Sequence, residues 1–323
     1  MLSKDALPKQ FQDAAKAFQE KVDAKLEGQQ KADGVEQPLY QYTTAAGLKG
    51  IFETEQLWFT DYRFQNDPDE FLYGKQLALE VLDTFAVAAP NNYAKQLIES
   101  VRSILTSDKL GSALHVFLAC FSRKRDDLGQ WRAYGDNGRG FAIGFAPPMF
   151  AIEDPAFQTH IEKMYLGSVV YDQTEALSRH REAIGWALDE FLAAARLYPH
   201  LMKSSVKRDA FLQEMRTSLI ASPLIWYSLT AKHHAYRDED EVRQVLLGAG
   251  DDLKPYIQTR VRGSEIVPYV AAPWRVRKKG MIKEIIIGPA ASFGAEEAVI
   301  AMLRSCGIDG VKVTRSEIPY RPV

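Results

Sequence analysis

Residues Phe117 to Phe145 read FLACFSRKRDDLGQWRAYGDNGRGFAIGF. The stretch opens within an apolar run, Val116 to Phe121, that is rich in β-formers and lacks a helical period, which predicts a buried strand. It closes on a second such run, Gly140 to Phe145, bounded by Gly138 and by Pro147-Pro148. Ser122, Arg123, Lys124, Arg125, Asp126, Asp127, Gln130, Trp131, Arg132 and Tyr134 crowd the segment between them. Two aromatics, several cations and a hydroxyl held between buried strands suit a pocket for a flat, anionic ligand. The plain structural alternative is a long surface loop with one helical turn, in which Trp131 and Tyr134 pack at i, i+3.

Outward from this centre, the chain reads as alternating strands and helices. Upstream, Leu39 to Thr43 alternates as a short strand, Thr44 is placed to cap a helix over Ala45 to Thr54, and Leu57 to Thr60 is a second strand. Asn66-Asp67-Pro68 is a turn before helices at about Phe71 to Ala88 and Asn91 to Thr106. A helix over Ala6 to Leu26 shows Phe11, Ala15, Phe18, Val22 and Leu26 on one face and is expected to cover an edge of the domain. Gly28 to Pro38 reads as a linker. Downstream, Tyr165 to Tyr171 is a strand, and helical patterns fill Arg181 to Arg196 and Ala210 to Ile220. Val242 to Leu247 and Ile282 to Ile287 are strands, Gly294 to Ser305 a helix and Gly310 to Thr314 a last strand. Strands spread along the whole chain, with helices between them, predict an α+β fold built on non-local pairing.

The totals set bounds. The chain has 323 residues, 46% hydrophobic, with mean hydropathy −0.24, a formal charge of −2 and a pI near 6.3. Such a balance gives no global field for nucleic acid. The two cysteines, Cys120 and Cys306, are too few for a structural zinc site. No apolar run reaches the roughly 18 residues of a membrane span, and MLSKDALPKQ places charges where a signal peptide needs its apolar core. The expectation is a cytoplasmic protein.

A second concentration of chemistry is AKHHAYRDEDEVRQVLLG. Glu239 and Glu241 sit at the mouth of the strand, where a period of two would turn both carboxylates to one side. Like charges on one face raise one pKa, which suits acid–base or cation-stabilising work; the alternative is a solvated acidic loop with Arg243 paired to Glu241. His233 and His234 are adjacent and diverge on a helix, so a joint metal site is not expected.

Five ordered blocks, LYQYTTAAGL, NDPDE, CFSRKRDDLGQWRAYG, EDEVR and IKEIIIGP, resemble the DUF2971 family of bacterial proteins, from about Pro38 to the C-terminus. That family in turn resembles a divergent branch of the ADP-ribosyltransferase fold, as in diphtheria-type and DarT toxins. The resemblance implies an ADP-ribosyltransferase-like split β-sheet core at 38–323, a helical insertion at about 172–229, and a separate helix and linker at 1–37. It implies NAD as co-substrate and a macromolecular acceptor, nucleic acid or protein, for a toxin or defence effector. On this reading Gln41 stands where the family has His, beside Tyr42 and Thr43. Phe121-Ser122 is the aromatic–Ser pair, and Tyr134 or Trp131 is the second aromatic around the nicotinamide. Arg63, Arg123 or Arg125 would clamp the pyrophosphate, Asn66 would complete the binding set, and Glu241 would be the catalytic carboxylate with Glu239 its partner. Gln41 bonds a ribose hydroxyl but carries no charge. Three rivals follow: NAD glycohydrolysis at the same site, a non-catalytic module that senses a nucleotide or nucleic-acid end, and a metal nuclease using His233, Asp238 and Glu239.

Overall fold

The computed structural model describes residues 7–32, 36–65, 70–107, 110, 114–147, 163–249, 253–273 and 279–321. The chain divides into two compact units, one made of residues 1–29, 67–114 and 170–234 and the other of 30–66, 115–169 and 235–323.

The first unit is helical. Its elements are α1 (Lys9–Ala32), α3 (Glu70–Val87), α4 (Asn92–Leu105), α6 (Gln173–Leu197), α7 (Pro199–Met202), α8 (Ser205–Leu219) and α9 (Ile225–Leu229). A π-helical turn, Ile220–Leu224, joins the last two and contains Pro223, whose missing N–H fits a widened ladder. The N-terminal helix does not stand apart with a linker. It runs on to Ala32, and its apolar stripe buries Phe11, Ala15, Phe18, Val22 and Leu26. Phe11 stacks on Phe211 of α8 with ring centroids 4.1 Å apart, and Lys25 pairs with Glu182 of α6 at 2.9 Å. Gly74 permits the close crossing of α3 and α9, since a Cβ there would lie 2.2 Å from the Ser228 carbonyl oxygen. The Lys232 ammonium is buried against Glu70 at 3.1 Å.

The second unit carries the sheet. Its strands are β1 (Leu39–Thr43), β2 (Gln56–Asp61), β3 (Leu114–Ser122), β4 (Phe141–Phe145), β5 (Lys163–Ser168), β6 (Glu241–Ala249), β7 (Ile257–Arg262), β8 (Glu265–Pro273), β9 (Ile282–Ile287) and β10 (Lys312–Arg315). Eight of them run in the order β10-β9-β4-β1-β3-β2-β8-β7, while β6 also pairs with β3 and carries β5. Strand β3 thus serves three neighbours and is the branch point of the sheet. The β9–β10 pair is parallel, and β1–β4, β2–β8 and β7–β8 are antiparallel. The fold is therefore mixed α+β around one large, open, mixed sheet.

The two faces of the sheet bury different things. Helices α2 (Ala45–Thr54) and α10 (Ala295–Ser305) bring Leu48, Ile51, Phe52, Val299 and Leu303 onto the main core with Leu39, Phe59, Phe121, Ile143 and Ile285. Thr44 caps α2 by accepting from the Gly47 N–H at 3.2 Å. A smaller cluster of Tyr40, Tyr42, Trp131, Ala142 and Ile286 lies on the other face of β1, β4 and β9. The segment after β3 forms its cover, through the short helix α5 (Leu128–Ala133).

Candidate functional site

The site grows from the end of β3. Ser122 is its last residue and is buried. Its hydroxyl donates to the Glu239 carbonyl at 2.6 Å and accepts from the Lys124 N–H at 3.1 Å. Both bonds are to backbone, so Ser122 stitches the end of β3 to the lead-in of β6. Asp127 caps α5 by accepting from the Gln130 N–H at 3.0 Å, and its other oxygen takes Lys124 Nζ at 3.2 Å. The helix points Tyr134, just past its end, at Glu239: the phenol donates to Glu239 Oε1 at 3.0 Å. Gln130 Nε2 reaches the Glu239 carbonyl at 3.5 Å.

The two carboxylates of the EDE run part company. The expected alternation does not hold across them, because Asp240 has φ 43 and the strand begins only at Glu241. Asp is among the residues that tolerate this left-handed conformation. Glu239 ends the 3-10 turn His234–Glu239 and is half-buried, with Tyr134 on its carboxylate. Glu241 is buried and accepts a two-pronged bond from Arg243, with both N–O distances 2.8 Å. Arg243 is only 1% exposed, so this is a buried ion pair and not the solvated contact that a charge run suggests.

The three arginines expected at a pyrophosphate also have carboxylate partners. Arg63 clasps the buried Asp61 through Nε at 3.0 Å and Nη2 at 2.6 Å. Arg123 reaches Asp240 at 3.4 Å and donates to Ser168 at 2.7 Å. Arg125 grips Glu284 of β9 with two 2.8 Å bonds, and the Tyr40 phenol donates to the same carboxylate at 2.9 Å. Arg125, together with Tyr40, holds the Glu284 carboxyl below its ordinary range, while burial and the Glu284 carboxylate push the Tyr40 phenol up to about 12. Asn66 lies outside the described residues.

Trp131 differs from the sandwiching ring expected of it. It is 0% exposed, edge-on to Tyr42 at 4.7 Å, and its indole N–H donates to Asp126 at 2.6 Å. Asp126 also accepts from Ser316 Oγ at 2.7 Å and from the Glu317 N–H at 3.1 Å. Trp131 is therefore core, tied to the segment after β10. Tyr42 is buried as well; its hydroxyl donates to the Lys124 carbonyl at 2.9 Å and accepts from the Asp127 N–H at 3.1 Å. Burial raises its pKa. Phe121 points into the main core, edge-on to Phe145.

Gln41 is not brought onto the Ser122 side. Tyr40 pairs with Ser122 across β1 and β3, and alternation turns Gln41 to the opposite face, where it is paired across β1 and β4 with Ile143. Its Oε1 is buried and has no hydrogen-bond partner. Thr43 shares that face, beneath the first turn of α2, where a Cβ on Gly47 would meet its Oγ1 at 2.0 Å.

The residues brought together are thus Ser122, Gln130, Tyr134, Glu239 and Asp240, flanked by Arg123. Sequence reasoning missed Glu284 and Asp126 as organisers. Glu284 carried a signal, a lone acid inside the apolar run of β9, which is buried only when paired.

A family model described as "Protein of unknown function (DUF2971)" matches residues 130–244, which supports that family. The match begins within α5, at Gln130, and takes in Tyr134, Glu239 and Glu241. No curated protein and no solved structure matches the chain. Among the described residues, no helix is long and apolar enough to cross a membrane, and no group of three or more His, Cys, Asp or Glu is arranged to hold a metal ion.

Proposed function

We propose that the protein is an NAD-dependent ADP-ribosyltransferase with a macromolecular acceptor, nucleic acid or protein, and that Glu239 is its working carboxylate. The observation that carries this reading is the half-buried Glu239 held by the Tyr134 phenol at 3.0 Å beside the Ser122 end of β3. Breaking the nicotinamide–ribose bond sends its electron pair to nicotinamide and leaves positive charge on the ribose. A fixed carboxylate at that point stabilises the transition state more than the ground state. The acceptor then bonds the ribose carbon and gives up its proton. Tyr134 fixes the carboxylate and presents a ring to nicotinamide. Glu241 is a positioning residue on this account: it is buried at the start of β6, two residues from Glu239, and neutralises the buried Arg243 of the same strand.

Incubation of the purified protein with NAD, following free nicotinamide with and without cell lysate, tests the reading. Release that rises with lysate is expected. Release that lysate leaves unchanged describes an NAD glycohydrolase. A second reading, a nucleotide-sensing module without turnover, is favoured by the neutral Gln41 turned away from Ser122; it predicts NAD binding and no nicotinamide.

A further inference from the structure

Arg260 of the sheet unit, a partly buried cation, has no carboxylate partner among the described residues. Thr60 of β2, Tyr269 of β8 and Gln258 of β7 are directly opposed across the three strands, so their side chains share a face. Alternation adds Trp58 and Arg260 to it. The Arg260 guanidinium carbon lies 5.3 Å from the centroid of the Trp58 ring and 5.7 Å from that of Tyr269, and the two rings are 5.0 Å apart. Arg260 Nη2 donates to Thr60 Oγ1 at 2.8 Å. Arg260 Nε and Trp58 Nε1 are both buried and have no acceptor.

This arrangement is costly for a protein that does nothing with it. A cation removed from water needs an anion or full hydrogen bonding, and aromatic faces recover only part of the loss. Burial and the neighbouring Arg262 both work against the Arg260 charge. Two orphan N–H groups, one on the guanidinium itself and one on the indole beside it, make a set of donors in want of an acceptor with several oxygens.

We propose that the Trp58–Thr60–Arg260–Tyr269 face binds a phosphate-class oxyanion, with Arg260 Nε and Trp58 Nε1 as donors. Arg262 is paired with Glu265 at 3.0 Å, so the charge offered is that of Arg260, and donors on two separate side chains suit a tetrahedral group better than a single planar carboxylate. Trp58 and Arg260 are each only partly buried, so a change of side-chain rotamer uncovers the donors. The site is independent of NAD cleavage and stands or falls without it.

The test is thermal melting of the full chain in inorganic phosphate and in acetate at equal ionic strength, with Arg260→Met and Trp58→Phe. Phosphate is expected to raise the wild-type melting temperature and acetate to leave it unchanged. Arg260→Met should melt higher than wild type without phosphate, since the uncompensated cation is gone, and should show no phosphate response. Trp58→Phe keeps the packing and loses one donor, so its phosphate affinity should fall about tenfold. An equal response to acetate, or a full phosphate response in Trp58→Phe and Arg260→Met, overturns the proposal. Should Arg260→Met fail to fold, the Trp58→Phe affinity alone decides.

Discussion

The segment over β1 and β9 and the face of β2, β8 and β7 use the same residue types to opposite effect. In the first, Arg123 and Arg125 meet the carboxylates of Asp240 and Glu284, and beside it in β6 Arg243 meets Glu241. In the second, Arg260 has a hydroxyl and two rings, with an orphan N–H beside it. The lesson is that charge density does not mark a binding site. Of the cations between Ser122 and Tyr134, Arg123 and Arg125 hold the loop to the sheet and Lys124 pairs within the loop with Asp127. The unsatisfied Arg260 Nε and Trp58 Nε1 lie where the sequence is quieter.

If the first region is built on paired groups, removing one partner there must destabilise. The largest effect is expected from Trp131→Ala, which empties a fully buried site and strands the Asp126 bond, for about 3–5 kcal/mol in denaturant unfolding. A loss under about 1 kcal/mol would restore Trp131 as an exposed ring wall. Glu241→Gln comes next: taking the charge from the partner of a buried guanidinium costs on the order of 3 kcal/mol. The comparison sharpens if Glu239→Gln, at a half-buried position, changes stability by less than about 1 kcal/mol.

Acid should act on the same region. The Glu284 pKa is depressed below its ordinary 4.5, first by the bonds from Arg125. A depressed carboxylate contributes stability that is present above pH 4.5 and lost as pH falls through the folded-state value. The stability gap between wild type and Arg125→Gln should therefore be full above pH 4.5 and shrink below it. A gap that does not vary with pH would remove Glu284 from the account. The smallest effect is expected at Gln41, a group of the second kind although it lies in β1. Replacing its orphan buried amide by Leu should stabilise the fold by about 1 kcal/mol. If Gln41→Leu also abolishes NAD binding, the amide holds the ribose from its own face of the sheet.

Local chemistry was legible in the sequence, and distant pairing was not. The strand Leu39–Thr43 and the helix Ala45–Thr54 follow from alternation and the Thr44 cap, and the buried β4 from its unbroken apolar run. The hairpin of β7 and β8 escaped because Pro268 lies inside β8 and demotes the pattern, although Gly263, with φ 59, marks the turn between two β-rich runs. With that hairpin went Arg260 and Tyr269. Of the candidate site, motif order pointed to Gln41, Ser122 and Glu241 around one cleft; the structure turns Gln41 to the opposite face and sets Tyr134 on Glu239, and the separation of Glu239 from Glu241 turns on one left-handed residue, Asp240. Arg125 and Glu284 stand 159 positions apart, and no local pattern announces their bond.

The most direct measurement is the kcat for nicotinamide release from NAD by Glu239→Gln and Glu241→Gln, each scaled to its folded fraction. The account predicts that Glu239→Gln keeps near wild-type stability and KM while kcat falls roughly 100- to 1000-fold, and that Glu241→Gln loses mainly stability. Wild-type turnover by Glu239→Gln would contradict it.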